Sequence, residues 1–217
     1  MRNTLLLSDF ERYPLLDPYC EEPWRAVLDL AALIDDRKSE TGRTTDAWVH
    51  PYAQVMNSIL MPGVRVYEGA VVRDSIVLSG ATIGHASEIA RSIIGTNCMI
   101  PRFNYVGSSV LGNSVQLGGG TMLASRRHDR REVYLRLTPI DIPLGVAQFG
   151  SLVGDRAIIA FGCHLNPGTV VGHDALIMPH ADVQGFTPPN TVLRTRTRVV
   201  RFPRPQTLGL ARGGAEQ

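Results

Sequence analysis

Aliphatic residues recur along the middle of the chain at a spacing that fits neither a helix nor a simple strand. From position 49 the steps run six, five and six, a 17-residue period, through Val49, Val55, Leu60, Val66, Val72, Val77, Ile83, Ile89, Ile94, Ile100, Val106, Leu111, Leu117 and Leu123. After a break the steps are all six, through Ala147, Val153, Ile159, Leu165, Val171, Ile177 and Val183. A helix would repeat apolar residues three and four apart, and a strand two apart. A fixed longer period indicates a solenoid.

The period predicts a three-sided coil in which each segment supplies one short strand and one corner. The repeated aliphatic residue points inward, and a small residue four positions later, such as Ala157 or Ala175, fills the space near the next corner. Successive coils would pair as parallel strands about 4.8 Å apart. The 21 segments therefore predict an all-β solenoid of about seven coils, roughly 34 Å long.

A column of serines accompanies the repeat. The copies "VMNSIL", "VRDSIV", "IARSII" and "VGSSVL" place Ser58, Ser75, Ser92 and Ser109 at 17-residue intervals. Stacked at one corner, these side chains are predicted to hydrogen-bond to neighbouring backbone. Cys98 and Cys163 take inward positions, which predicts core thiols rather than catalytic ones.

Three regions lack the repeat. Residues 1–46 are expected to form an N-terminal arm, in which "EEPWRAVLDLAALIDDRK" predicts a helix with Pro23 in its first turn. The apolar set of this helix is Trp24, Val27, Leu28, Ala31 and Ile34. The arm is expected to cover the open edge of the first coil, which could otherwise pair with another chain.

The solenoid is expected to span residues 47–193, with an excursion at 125–146. Within it, "SRRHDRREVYLRL" begins as a basic loop and then alternates as β-structure does. The prolines of "GFTPPNTVLR" are expected to end the ladder, because proline lacks the N–H that pairing needs. The basic tail, 194–217, is either a solvated segment or a phosphate-binding one.

Composition narrows the functional classes. A net charge of +2 over 217 residues argues against a nucleic-acid partner. Cys20, Cys98 and Cys163 form neither a disulfide framework nor a paired metal spacing, which favours a reducing compartment. No apolar run reaches the length of a signal peptide or a membrane span. We therefore expect a cytoplasmic protein without a membrane partner.

The stretch "IPRFNYVGSSVLGNSVQLGGGTMLAS", residues 100–125, carries a family resemblance. It is similar to the acetyltransferase half of the bifunctional glucosamine-1-phosphate N-acetyltransferase and sugar-1-phosphate nucleotidylyltransferase family, whose run reads approximately P-H-L-N-Y-V-G-D-S-x-L-G-x-N-V-N-L-G-A-G-T-x-x-x-N. The likeness covers about residues 20–196, and the nucleotidylyltransferase half has no counterpart among them. The resemblance implies a left-handed β-helix, a homotrimer with active sites between subunits, and acetyl-CoA or another acyl-CoA as co-substrate.

The resemblance also assigns candidate site residues. Those at or beside positions where the family contacts its sugar phosphate are Arg73, Arg91, Tyr105, Gln116 and Ser125. Arg91 adjoins the position of the family's lysine, and Gln116 and Ser125 replace two asparagines. Those at positions that meet coenzyme A or its acyl group are Gly119, Phe161, Pro179 and Arg196.

The family's catalytic histidine is Arg102 here. Amide formation needs a base for the attacking amine. A guanidinium stays protonated and cannot serve, although it can bind phosphate or steady an oxyanion. Either the base has moved, the chemistry has changed, or catalysis has been lost.

Coil arithmetic predicts a replacement base. Glu68, His85, Arg102 and Gly119 each follow a repeated aliphatic residue by two positions, so they should stack in one outward column. A carboxylate that orients a histidine beside an arginine is a workable base. The alternative is an exposed ion-pair column that stabilises little. His128, in the basic loop, is the other candidate base. No histidine spacing suits a zinc site, so no metal is expected.

Three functions remain open from the sequence. The leading one is an acyl-CoA-dependent transferase acting on a small, phosphorylated sugar or amine. The second is a catalytically silent trimer that serves as a binding or regulatory module. The third is a repurposed β-helix cleft that runs other chemistry. Coenzyme A binding would separate the first from the other two.

Overall fold

The computed structural model describes residues 16–19, 21–40, 46–137 and 140–195. Within them, a 3-10 turn at Asp17–Tyr19 and the helices Pro23–Leu28 (α1) and Leu30–Glu40 (α2) precede 24 short strands. The first fourteen strands are Trp48–Val49 (β1), Gln54–Met56 (β2), Ile59–Leu60 (β3), Arg65–Val66 (β4), Val71–Arg73 (β5), Ile76–Val77 (β6), Thr82–Ile83 (β7), Glu88–Ala90 (β8), Ile93–Ile94 (β9), Met99–Ile100 (β10), Tyr105–Gly107 (β11), Val110–Leu111 (β12), Gln116–Leu117 (β13) and Met122–Leu123 (β14). The others are Tyr134–Leu137 (β15), Ile140–Pro143 (β16), Ser151–Val153 (β17), Ile158–Ile159 (β18), His164–Leu165 (β19), Thr169–Val171 (β20), Leu176–Ile177 (β21), Asp182–Val183 (β22), Phe186–Thr187 (β23) and Val192–Leu193 (β24).

All strands except β15 and β16 form three parallel sheets, here named faces A, B and C. Face A holds β1, β4, β7, β10, β13, β18, β21 and β24; face B holds β2, β5, β8, β11, β14, β19 and β22; face C holds β3, β6, β9, β12, β17, β20 and β23. Val72 pairs with Ile89, and Ile89 with Val106, one coil apart each time. The chain visits the faces in turn, giving seven coils and the first strand of an eighth. The predicted three-sided solenoid is confirmed.

The interior is built from the repeated aliphatic residues. Those from Leu60 to Leu123 and from Val153 to Val183 form one buried cluster, in which Cys98 and Cys163 also lie. Burial raises the pKa of the Cys98 thiol to about 12. Both thiols therefore have the predicted core role.

Ala147 is exposed, so its predicted inward position is wrong. The residues before 149 still belong to the excursion. The solenoid resumes where the Phe149 N–H donates to the Ser125 carbonyl, 2.9 Å away, and Val153 then pairs with Leu111. A small residue six positions before Val153 matched the period without belonging to a coil.

The described helices of the N-terminal arm pack on the outer side of face C rather than over the open edge of the first coil, so the predicted capping role is wrong for this part of the arm. Trp24, Ala26, Leu30 and Ile34 are buried there. They pack against the outward residues of face C, namely Ile76, Ile93, Val110, Leu152 and Val170. The physical reason is that face C has apolar residues on both of its sides and needs a cover.

The arm also departs from a single continuous helix. The helical stretch is interrupted at Asp29. Of the predicted apolar set, Leu28 and Ala31 are exposed. Leu30, the first residue of α2, is buried instead.

The excursion contains β-structure, as predicted, and the structure shows it as an antiparallel hairpin in which Leu135 of β15 pairs with Ile142 of β16. Val133, Leu135 and Leu144 join the same outer cluster as the arm. The arm and the hairpin together make a second apolar layer over face C.

The prolines do not end the ladder, contrary to the prediction. Pro188 and Pro189 form a corner, where no ladder N–H is required. The next strand, β24, still pairs with β21 through Leu176 and Val192. The last described strand ends at Leu193.

The serine column forms a continuous ladder between faces B and C. The Oγ atoms of Ser58, Ser75, Ser92 and Ser109 accept the N–H of the next serine in the column at 3.1, 3.1, 3.1 and 2.9 Å. Each Oγ also donates to the carbonyl two residues before it, at 2.7–2.9 Å. The column continues to Ser151 across the excursion, a member that the 17-residue spacing could not reveal.

Candidate active site

Six candidate residues lie in one column along the corner between faces A and B. This A–B column consists of Glu68, His85, Arg102, Gly119, Phe161 and Pro179. Backbone bonds tie the coils together here: Phe103 N donates to the His85 carbonyl at 3.0 Å, and Gly120 N donates to the Arg102 carbonyl at 3.1 Å. Glu68, His85 and Arg102 are exposed, so the column faces outward.

The imidazole of His85 packs against an aromatic ring. Its ring centroid lies 5.6 Å from that of Phe103, with the planes at 81°. A methyl group added at Gly69 would lie 3.8 Å from His85 Cε1. Among the described residues, neither imidazole nitrogen of His85 forms a hydrogen bond or an ion pair, and the side chains of Glu68 and Arg102 form none either. The orienting contact is therefore with Phe103, not with the Glu68 carboxylate.

Phe103 takes a backbone conformation that suits glycine, with φ of 61°. The equivalent corner residue in three other coils is a glycine, namely Gly69, Gly120 and Gly162, each with positive φ. The left-handed conformation costs a side-chain-bearing residue about 1–2 kcal/mol. Phe103 is also 57% exposed, so burial of its ring in the core does not offset that cost.

Next to Arg102, the corner is formed by Gly118, Gly119 and Gly120. A methyl group at Gly118 would collide with the Phe161 backbone, whereas one at Gly119 would lie 3.4 Å from the Arg102 carbonyl oxygen, in ordinary contact. Phe161 is 53% exposed on the far side of this strip. The column thus contains a stretch of bare backbone between an arginine and an aromatic ring.

Two acceptor-site candidates lie on the outer side of face B: Tyr105 begins its strand next to the column, and Arg73 ends its strand next to the corner with face C. Arg73 is paired with Glu88, at 3.0 Å from Nε and 2.8 Å from Nη2 to the same carboxylate oxygen. Tyr105 lies in register with Glu88 on the next coil. Sequence analysis missed Glu88, although coil arithmetic places it across from Tyr105. An anion that binds Arg73 must compete with this carboxylate.

The remaining candidates lie away from the A–B column. Arg91 and Ser125 are at the corner between faces B and C, where the Arg91 Nε donates to Ser108 at 3.3 Å and the buried Ser125 hydroxyl accepts from Gln148 at 3.2 Å. His128 is exposed in the loop beyond that corner. One chain therefore does not bring His128 to His85.

Gln116 and Arg196 complete the set of candidates. Gln116 is exposed on face A, in register with Met99 and Ile158. Arg196 and the tail that follows it lie outside the described residues, as does Cys20. The roles of all these candidates remain predictions.

The described part of the chain contains neither a metal-binding cluster nor a membrane-spanning helix. No group of three or more His, Cys, Asp or Glu side chains there could hold a metal ion. Neither α1 nor α2 is long and apolar enough to cross a membrane.

The coils define a hexapeptide-repeat β-helix. Residues 43–127, less than half of the chain, match the family described as the GMPPB C-terminal domain. The matched family is thus not the bifunctional one that residues 100–125 resemble. No curated protein matches the chain.

Solved structures with similar folds include several acetyltransferases. The acetyltransferase domain of PglB from Neisseria gonorrhoeae has 16% identity and a TM-score of 0.33, covering 74% of this chain and 60% of that domain. PerB from Caulobacter crescentus, solved with CoA and GDP-perosamine, has 15% identity and a TM-score of 0.27, covering 76% and 71%. A hexapeptide transferase family protein from Anaplasma phagocytophilum has 15% identity and a TM-score of 0.30, covering 70% and 80%. This chain thus spans about 60% of the PglB domain. None of these similarities assigns a reaction to it.

Proposed function

We propose that this chain is an acyl-CoA-dependent transferase acting on a small, phosphorylated sugar or amine, at clefts between the copies of a homotrimer. The observation that carries the proposal is the A–B column. It presents the His85 imidazole, free of hydrogen bonds within the described chain, one coil from the Arg102 guanidinium. Bare glycine backbone follows on the next coil.

Each group has a chemical role in this proposal. His85 removes a proton from the acceptor N–H or O–H as that atom attacks the thioester carbonyl carbon. Arg102 stabilises the oxyanion that forms on the carbonyl oxygen. The oxyanion then re-forms the carbonyl as the C–S bond breaks, and the imidazolium gives the acceptor's proton to the departing thiolate. The products are the acylated acceptor and free coenzyme A.

The acceptor is assigned to the outer side of face B, and the thioester to the later coils of the A–B column itself. Arg73 and Tyr105 on face B are proposed to hold the acceptor phosphate. Gly119, Phe161 and Pro179 are proposed to hold the acyl end of the thioester. Arg196 would meet the coenzyme phosphates, because guanidinium binds phosphate in a bidentate manner.

The trimer is proposed because one chain leaves the site incomplete. Arg91, Ser125 and His128 lie at or beyond the B–C corner, on the other side of face B from His85. A closed three-fold arrangement could bring the B–C corner of one copy to the A–B corner of the next. Light scattering at micromolar concentration tests this, and a monomer mass would remove the shared site.

Binding and turnover test the function separately. Calorimetry with acetyl-CoA should show binding that weakens in Arg196→Ala. Release of free thiol should then be measured with amino-sugar phosphates as acceptors. His85→Ala should lower turnover by roughly 10²–10⁴-fold, the usual contribution of a general base. His164→Ala, an exposed histidine outside the column, is the matched control and should retain activity. Undiminished turnover in His85→Ala would move the base to His128.

A silent trimeric module is the second candidate function. Two observations favour it. Arg102 stands at the position of the catalytic histidine in the bifunctional family that residues 100–125 resemble. The description of the matched family, the GMPPB C-terminal domain, names a domain and no reaction. Arg102→His discriminates between the two. If the chain is a transferase, Arg102→His should give part of the acetyltransferase activity of the bifunctional family towards glucosamine 1-phosphate. The absence of coenzyme A binding at millimolar concentration would support the silent module.

A further inference from the structure

We propose that Phe103 is a positioning residue that sets the plane of the His85 imidazole. This inference rests on the proposed function in assigning His85 the base. It concerns how the imidazole is oriented, which a hydrogen-bonded carboxylate does in many histidine bases. In the A–B column the apolar ring of Phe103 orients the imidazole.

The backbone of Phe103 is in the left-handed region, with φ of 61°. Left-handed residues at the described corners are mostly glycine, asparagine, aspartate or small and charged residues, and Phe103 is the one large apolar side chain among them. Glycine occupies the same corner position in the coil of Gly120, where it meets no strain. A residue kept in an unfavourable conformation points to a role for its side chain. Core packing is not that role, because the ring is more than half exposed.

This backbone conformation places the Phe103 ring against the His85 imidazole. The His85 ring meets the Phe103 ring edge to face, with the ring centroids 5.6 Å apart and the planes at 81°. Edge-to-face pairs of this kind are favoured arrangements of aromatic rings. The ring plane is thus restrained while both nitrogens remain open to a substrate. The charged neighbours in the column, Glu68 and Arg102, make no bond to the imidazole within the described chain.

Orientation of the imidazole plane and selection of its tautomer are therefore separate in this column. A carboxylate partner fixes both the ring plane and which nitrogen carries the proton. Phe103 restrains only the plane, so the tautomer is left to the substrate and to Arg102. His85 would act as a base whose free nitrogen is chosen by the bound acceptor.

The test compares three variants of the strained corner. Phe103→Gly removes the ring and relieves the backbone; its melting temperature should be equal to or above that of the native protein, while kcat should fall by roughly 10–100-fold, as misplaced catalytic groups do. The KM for acyl-CoA should stay unchanged. Phe103→Tyr keeps the ring and should retain activity. Ala86→Gly relieves the same corner one coil earlier without removing a ring, and it should leave kcat unchanged.

A second measurement does not depend on activity. In NMR spectra of the whole protein, the ring protons of His85 should shift in Phe103→Gly, because the neighbouring ring current is lost, and should keep their native shifts in Phe103→Tyr and Ala86→Gly. Unchanged His85 signals in Phe103→Gly would overturn the proposal, and so would a kcat equal to native. A native protein that transfers no acyl group would refute the proposed function, and the NMR shifts would still decide whether Phe103 holds the ring.

Discussion

Replacement of Ser92 by alanine tests whether the serine ladder stabilises the solenoid. Ser92 is fully buried, and its Oγ accepts the Ser109 N–H at 3.1 Å while donating to the Ala90 carbonyl at 2.9 Å. In Ser92→Ala the Ser109 N–H loses its acceptor at a site that water does not reach. The Ala90 carbonyl keeps a partner, because it also accepts the Ser108 N–H at 2.8 Å.

One orphaned backbone donor sets the expected cost. A buried polar group without a partner costs about 1–3 kcal/mol, so we expect a loss of about 2 kcal/mol in the free energy of unfolding. For a chain of this size, 1 kcal/mol corresponds to about 2–4 °C. The melting temperature should therefore fall by about 4–8 °C. It should be measured by thermal unfolding at one fixed protein concentration, because the proposed trimer would make the melting temperature concentration-dependent.

Ser79→Ala is the matched control. Ser79 is a half-buried corner serine whose hydroxyl forms no hydrogen bond within the described residues. Its replacement should change stability by less than about 0.5 kcal/mol, as surface substitutions usually do. Equal melting temperatures for Ser92→Ala and Ser79→Ala would refute the stabilising role of the ladder.

Three further predictions follow from the same coils. Gly118→Ala should destabilise the protein, because its methyl group meets the Phe161 backbone, while Gly119→Ala should fold normally; circular dichroism melts compare the two. Cys98 should resist alkylation at pH 8 in the native protein and react on unfolding, because burial raises its thiol pKa to about 12. Neighbouring arginine and histidine side chains lower the pKa of Asp174 from 3.8 to about 2. Its carboxylate therefore stabilises the fold above about pH 4 and ceases to do so as the pH falls towards 2, and Asp174→Asn should flatten that part of the stability profile.

Each of these three has a contrary outcome. Equal melting curves for the two glycine variants would mean that the corner can shift to admit a side chain. Rapid alkylation of Cys98 without unfolding would mean that the interior opens readily. An Asp174→Asn protein with the native acid profile would show that its ion pairs are screened by solvent.

The solenoid could be predicted because its period repeats a physical requirement many times. Each coil needs one inward aliphatic residue on each face, and Val72, Ile89 and Val106 show the same solution in three coils. The position of the arm could not be predicted in this way. The apolar residues of the helix predict that it packs against the protein, but they do not predict which surface it packs against. Adjacent apolar residues such as Ile76–Val77 and Ile93–Ile94 indicate the docking surface, because they make face C apolar on both sides.

The candidate site was predictable as a column but not in its contacts. Equal offsets place His85 beside Arg102, because backbone register follows from the period. Each side chain can contact a residue that is not directly in register with it, and the repeat period does not specify which one. Arg73 thus turns to Glu88, and the histidine rests on Phe103. Neither pairing follows from sequence spacing alone.

The outer layer over face C affects how the protein unfolds and aggregates. Face C separates two apolar clusters, one inside the coils and one beneath the arm and hairpin. The two need not open together, since packed units of a fold can unfold separately. If the arm and hairpin detached first, the intact coils would display a flat apolar stripe of one residue per coil, at the 4.8 Å spacing of strands. Such a stripe is a template for stacking against another molecule. The arm would then act as a guard against aggregation on the flank of the solenoid rather than at its end.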